Sequence, residues 1–177
     1  SWSAGGASPT KTYTVKVVSD SGNKYRFRNS GDTATFGASA VTLDLQEGGT
    51  YTFDVSDNTL NSHPFVIGTA ANGTEYSTGV TYKLDGVTKT YSQYTSGFSA
   101  ATSRQLIITV AASAPTLYYN CSVHSGMGGQ ANTATNTDYT GQSGSLAVGS
   151  VSIKLASTAL PAGQFAIANL GTISVFN

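Results

Sequence analysis

Apolar residues alternate with polar ones along much of the chain, at the two-residue period of a half-buried β-strand. The alternating apolar positions are Tyr13, Val15 and Val17; Tyr25 and Phe27; Val41, Leu43 and Leu45; and Tyr51, Phe53 and Val55. No stretch carries the capped i, i+3, i+4 apolar stripe of an amphipathic helix. The pattern therefore predicts an all-β protein.

Turn signals between these segments predict how the strands connect. The sequence QEGG separates residues 41–45 from residues 51–55, and we expect it to close a hairpin. Asp85-Gly86, a preferred two-residue hairpin pair, follows a strand at residues 80–84. The nearly all-apolar QLIITV, residues 105–110, predicts a central strand buried on both faces. Many short strands separated by turns predict a β-sandwich.

Composition divides the chain into four predicted parts. Residues 1–10, SWSAGGASPT, are small and lack periodicity, which predicts a flexible N-terminal arm. Residues 11–130 are predicted to form the sandwich. Residues 131–144 are polar and low in complexity, as in a linker. Residues 145–177 alternate again and predict a C-terminal β extension. An uncharged edge strand tends to pair with another strand, so we expect the extension to pair within the fold or with another chain.

Charge is scarce, which limits the expected partners. The chain of 177 residues has nine basic and nine acidic side chains, a formal net charge of zero, and only 10% charged residues. Long-range attraction to nucleic acid or to an anionic membrane is therefore not expected. No apolar run approaches the ~20 residues of a membrane helix. A neutral, hydroxyl-rich surface suits a repeating assembly or an extracellular protein.

The rarest side chains of the chain cluster in one loop. Cys121, His124 and Met127 follow the predicted strand LYYN with the spacing C-x2-H-x2-M, and they include the only cysteine and the only methionine. The one other histidine, His63, directly precedes the apolar segment PFVI. A thiolate, two imidazoles and a weak axial thioether are the ligands of copper electron-transfer sites. Zinc bound by Cys-His-His is a second interpretation, and a packed, metal-free cluster is a third.

Residues 41–129 resemble a cupredoxin, the blue-copper family of plastocyanin, amicyanin and pseudoazurin. The resemblance lies in VTLDLQEGGTYTFDVSDNTLNSHPFVI and in LYYNCSVHSGMGG, whose short spacing is closest to that of amicyanin. It implies a Greek-key β-sandwich that binds copper. His63, Cys121 and His124 would be equatorial ligands and Met127 the weak axial ligand.

The chain departs from the cupredoxin pattern next to the first histidine. Family members commonly have an asparagine there, which ties the two ligand loops together, whereas this chain has Pro64. Asn58, Asn61 or Ser62 are the candidates to replace it. About 50 residues also follow the methionine, where family members end soon after it.

A narrower resemblance concerns the biological role. The phrase SAPTLYYNCSVHSGMGGQANT, with NSHPFVIGT upstream, is similar to segments of predicted structural proteins of marine bacteriophages, notably those of cyanobacteria. We therefore expect a virion structural protein, a capsid decoration, neck or tail component at the virion surface. Its expected partners are other virion proteins or copies of itself, contacted through residues 1–10 and 145–177.

Other roles are kept as alternatives. A secreted blue-copper electron carrier, extracellular or periplasmic, would expose the His124 edge to a redox partner. A glycan-binding module would use the aromatics of residues 73–97, which are Tyr76, Tyr82, Tyr91 and Tyr94. An enzyme is not expected, because no nucleophile, base and acid occur as a set and no phosphate-binding loop is present.

Overall fold

A computed structural model describes residues 8–29 and 37–134 of the protein, all within one compact unit, Ser8–Asn136. Most of the predicted N-terminal arm lies outside the described residues. So do the predicted linker beyond residue 134 and the C-terminal extension.

The described residues form two β-sheets that pack together. The strands are β1 (Thr10–Ser19), β2 (Asn23–Asn29), β3 (Leu43–Gln46), β4 (Thr50–Asp54), β5 (Phe65–Gly68), β6 (Val80–Leu84), β7 (Val87–Lys89), β8 (Arg104–Thr109), β9 (Leu117–Cys121) and β10 (Gly129–Ala134). One sheet has the order β2-β1-β4-β8-β6-β7 and the other β3-β10-β9-β5. Both are mixed, because β1 and β4 run parallel, as do β3 and β10. The predicted all-β sandwich is confirmed, while Greek-key connectivity stays a prediction.

Aromatic rings from both sheets form the centre of the core. Tyr25 of the larger sheet contacts Phe65 of the smaller one with ring centroids 5.2 Å apart, and Phe27 lies 4.9 Å from Tyr119 in edge-to-face geometry. Phe53 lies 5.0 Å from Phe65. Such pairs contribute about 0.5–1.5 kcal/mol each beyond their buried area. They hold β5 and β9 firmly against the larger sheet.

The prediction that QEGG closes a hairpin is wrong. β3 pairs with β10 in the smaller sheet, whereas β4 lies between β1 and β8 in the larger one. The turn crosses between the sheets: Glu47 N–H donates to the Ala134 carbonyl, and Gly48 N–H donates to the Val110 carbonyl. Gly48 has φ +76°, a conformation that favours glycine. Alternation fits both topologies, because either one points the apolar residues of β3 and β4 into the same core.

The hairpin at Asp85-Gly86 is confirmed. β6 and β7 pair antiparallel with Leu84 opposite Val87. Both turn residues have positive φ, +48° at Asp85 and +78° at Gly86, as a type I′ turn requires.

The segment QLIITV is central, but it is not buried on both faces. β8 lies between β4 and β6. Leu106 and Ile108 are buried, whereas Ile107 is half-buried and Thr109 is exposed. Within the described residues, only one face of this strand packs against the other sheet.

Two elements depart from the sequence-based prediction. β10 continues to Ala134, four residues past the predicted end of the sandwich, although half of its residues are polar and no apolar residue in it is larger than alanine. A seven-residue helix, α1 (Tyr91–Gly97), lies where no helix was predicted. It begins with a capping box in which Thr90 and Gln93 each accept the other's backbone N–H. Among the described residues, no helix has the length and apolar character needed to cross a membrane.

A buried arginine organises the loop that joins β4 to β5. The Arg104 Nη2 donates to the carbonyls of Ser56 and Asp57, 2.9 and 3.0 Å away, and to Asn61 Oδ1 at 2.9 Å. Its Nη1 donates to the Phe98 carbonyl. Arg104 is 2% exposed, so its guanidinium depends on these protein oxygens rather than on water.

We expect Arg104→Met to lower the free energy of unfolding by about 3 kcal/mol, because it removes four hydrogen bonds made by a buried guanidinium, one of them to the buried Phe98 carbonyl. Urea denaturation measures the change. The matched control is Lys83→Met on neighbouring β6, a half-buried cation, for which a change within about 0.5 kcal/mol is expected. Equal losses in the two variants would contradict this account of Arg104.

Candidate metal centre

The pairing of β5 with β9 brings the two parts of the candidate site together. Phe65 lies opposite Cys121 in the antiparallel ladder. The ladder continues one step further, since Ser122 N–H donates to the Pro64 carbonyl at 3.0 Å. His63 therefore lies beside the loop that leaves β9, which we call the ligand loop (residues 122–128).

Three predicted ligands converge at this point. His63 Nδ1 and His124 Nδ1 are 3.0 Å apart, and the Cys121 sulfur lies 3.9 Å from the first and 3.7 Å from the second. His63 and Cys121 are buried and His124 is exposed. These three side chains could hold a metal ion.

The spacing of the donor atoms fits one shared ion. Bonds of about 2.0 Å to nitrogen and about 2.3 Å to sulfur are typical of imidazole and thiolate ligands. With those lengths, the observed separations correspond to angles at the ion of about 97° between the nitrogens and about 119° and about 130° between nitrogen and sulfur. All three angles are chemically ordinary, so no donor atom must move far.

The protonation states also suit a metal. Burial lowers the pKa of His63, and the neighbouring His124 lowers it further. The His63 imidazole is therefore neutral at pH 7, as a ligand must be. The Cys121 sulfur accepts the backbone N–H of His124 at 3.4 Å, which fixes the sulfur beside the start of the ligand loop.

Met127, at the end of the ligand loop, is bonded through its backbone to β2. It is 2% exposed, and its carbonyl accepts the Tyr25 N–H at 3.0 Å. The group of donor atoms that converge consists of His63, Cys121 and His124, so the axial role of Met127 stays a prediction.

The start of β2 contacts the first ligand, a role for residues 23–25 that no motif in the sequence indicated. The Asn23 side-chain amide lies 3.3 Å from His63 Nε2, the nitrogen that faces away from the cluster. The Tyr25 hydroxyl donates to the His63 carbonyl at 2.9 Å. Both the ring and the backbone of His63 are thus held by residues 23–25.

Two of these residues, Lys24 and Tyr25, also contact the ligand loop. Lys24 Nζ donates to the Gly126 carbonyl, and Tyr25 N–H donates to the Met127 carbonyl. Burial raises the pKa of Tyr25 well above its ordinary value, and the adjacent Cys121 raises it further, so the hydroxyl stays protonated. Residues 23–25 therefore connect His63 to the ligand loop.

Two asparagines hold the ligand loop from the other side. Asn120 is buried, and its Oδ1 accepts the Asn72 N–H at 2.8 Å. The Asn72 Oδ1 in turn accepts the Gly126 N–H at 3.1 Å.

The residues that connect the His63 segment to the ligand loop are not the ones proposed from the sequence, which were Asn58, Asn61 or Ser62. Asn61 accepts from Arg104, and Asn58 closes the 3₁₀ turn Asn58–Leu60 through a backbone bond to Asn61. Ser62 is exposed, and among the described residues no hydrogen bond joins it to the ligand loop. Residues 23–25 and Asn72 make this connection instead. They are distant along the chain, so spacing alone could not identify them.

Two of the four tyrosines proposed to stack on a glycan are buried. Tyr82 and Tyr94 are 4% and 0% exposed. Tyr82 donates its hydroxyl to Glu75, and Tyr94 donates to the Phe65 carbonyl. These two rings belong to the core and cannot stack on a sugar.

Comparison with known proteins adds no relative. No protein-family model matches the chain, and no curated protein matches it significantly.

The end of the ligand loop passes very close to β9. A Cβ at Gly128 would lie 1.7 Å from the Tyr119 carbonyl oxygen, whereas one at Gly126 would meet only Lys24 Nζ, 4.0 Å away. We expect Gly128→Ala to cost about 3 kcal/mol or more of unfolding free energy, since backbone must move. Gly126→Ala, strained by its φ of +74° alone, should cost about 1–2 kcal/mol.

Thermal and urea unfolding of the two glycine variants measure this difference. A Gly128→Ala protein as stable as Gly126→Ala would show that the loop does not approach Tyr119 as closely as described.

Proposed function

We propose that the domain binds copper through His63, Cys121 and His124, with Met127 as a weak axial ligand. The observation that carries this proposal is the convergence of two Nδ1 atoms and the Cys121 sulfur within 3.0–3.9 Å. Soft thiolate and thioether ligands suit Cu(I), and a set of two histidines and one cysteine with a weak axial methionine is the one that copper electron-transfer sites use. The resemblance of the ligand loop to that of cupredoxins supports the same assignment.

The environment of the donors favours electron transfer over catalysis. Copper held in such a set supplies reversible one-electron chemistry. The chain holds the ligands rigidly: Tyr25 fixes the His63 backbone and His124 N–H fixes the sulfur. Two ligands are buried and the third, His124, is exposed, which leaves one imidazole edge open to solvent.

Adding Cu(II) to the purified protein should produce an intense visible thiolate-to-copper absorption band with a stoichiometry of one. Cys121→Ser should abolish the band, because the hydroxyl does not replace the thiolate. Ser122→Ala, a change at the exposed neighbouring position, should keep it.

Met127→Leu distinguishes the axial assignment from a purely packing role. We expect the band to persist and the reduction potential to change, since the axial ligand tunes the potential. Tight zinc binding without a copper band would favour the zinc interpretation. No binding of either metal would mean a packed, metal-free cluster.

For the biological role we propose a virion structural protein that carries this domain. The support is the similarity of residues 113–133 to predicted structural proteins of marine bacteriophages, together with the scarcity of charge. A bound ion would stabilise the domain by linking two loops, because a ligand that binds only the folded state shifts the folding equilibrium. Residues 1–10 and 145–177 are the proposed contacts to other virion proteins or to further copies.

A secreted electron carrier is the second candidate, and the exposure of His124 favours it. A carrier must bring a redox partner close to a ligand, whereas a purely structural ion needs no exposed ligand.

Mass spectrometry of purified particles of a phage that encodes the chain separates these roles. We expect peptides of the domain at a constant ratio to the major capsid protein through density-gradient purification. Absence from particles, with recovery in the extracellular or periplasmic fraction of an expressing cell, would favour the electron carrier.

A further inference from the structure

We propose that Asn23 is a positioning residue for His63, which keeps the Nδ1 of the imidazole directed at the metal by hydrogen bonding to Nε2. The inference rests on the proposed metal-binding function.

The geometry places one imidazole nitrogen on each side of the ring. Nδ1 faces His124 and Cys121, and Nε2 lies 3.3 Å from the Asn23 side-chain amide. Asn23 is the first residue of β2, and its backbone is fixed by pairing with Ser19. The amide therefore projects from an ordered strand end rather than from an isolated loop.

The location of the ring proton explains why an amide suits this position. Without metal, the two Nδ1 atoms lie 3.0 Å apart, so one imidazole donates to the other. If His63 donates, its Nε2 is an acceptor and takes the amide N–H of Asn23. When Nδ1 binds metal, the proton must be on Nε2, which then donates to Asn23 Oδ1.

A half-turn of the amide group exchanges its donor for its acceptor. Asn23 can therefore bond Nε2 in both states, which an apolar side chain of the same shape cannot do. Partners of this kind orient the metal-binding histidine and contribute to its affinity.

The remaining contacts of residues 23–25 hold this arrangement in place. The Tyr25 hydroxyl bonds the His63 carbonyl, and Lys24 bonds the Gly126 carbonyl in the ligand loop. The backbone of His63 is thus held independently of its ring. Removal of the Asn23 amide should free the ring without displacing the loop.

The test uses the full chain with Asn23→Leu, which keeps the size of the side chain and removes the amide. Asn132→Leu is the control, since Asn132 lies in β10 and bonds Asp44. Cu(I) is the probe, because it is diamagnetic. We expect Asn23→Leu to weaken Cu(I) binding by about 10–100-fold in a competition titration, and Asn132→Leu to change it by less than about threefold.

Long-range ¹H–¹⁵N spectra show which nitrogen of each imidazole carries the proton, which is a different quantity from the free energy of unfolding. In the Cu(I)-loaded wild type, the Nε2–H of His63 should exchange slowly with solvent, and in Asn23→Leu it should exchange quickly. Asn23→Ala repeats both measurements if Asn23→Leu folds poorly by circular dichroism.

Unchanged Cu(I) affinity and unchanged Nε2–H exchange in Asn23→Leu would overturn the inference while the proposed metal function stands. If the wild type binds no Cu(I), the proposed metal function is wrong. The spectra of the metal-free proteins then test whether Asn23 orients the His63 imidazole. A change in the His63 tautomer ratio in Asn23→Leu alone would then support the contact with Asn23, and no change would overturn it.

Discussion

The candidate metal centre depends on one register, the pairing of β5 with β9 that places Phe65 opposite Cys121. His63 lies two residues before Phe65, and Cys121 is the last residue of β9. A slip of one residue would turn every side chain of β5 to the other face of the sheet. The register is secured by burial of Phe65 and Tyr119, whose rings stack with centroids 5.7 Å apart.

The larger sheet completes the site from across the core. Strand β2 belongs to that sheet, yet its first three residues contact His63 and the ligand loop, which extend from the smaller sheet. The aromatic contacts between Tyr25 and Phe65 and between Phe27 and Tyr119 fix the distance between the two layers. The packing that stabilises the core therefore also fixes the positions of the ligands, because the two layers cannot separate without moving them.

Rigid donors have a consequence for redox chemistry. A site that keeps its ligands in place needs little rearrangement when the charge of a bound ion changes. Here the ligand loop is held by Asn72 on one side and by residues 23–25 on the other. Of the three candidate ligands, His63 and Cys121 are buried and only His124 is exposed.

The sequence alone determined the local features: the inward-facing residues of β1 and β4, the type I′ turn at Asp85-Gly86 and the donor set of His63, Cys121 and His124. These are readable because alternation, turn chemistry and scarce residue types act over a few neighbouring positions. Only the tertiary structure decided that β3 and β4 lie in different sheets, that β10 pairs between β3 and β9, and that Asn23 reaches His63. Alternation specifies which face of a strand is buried but not which strand lies beside it, because long-range pairing depends on the packing of the whole core.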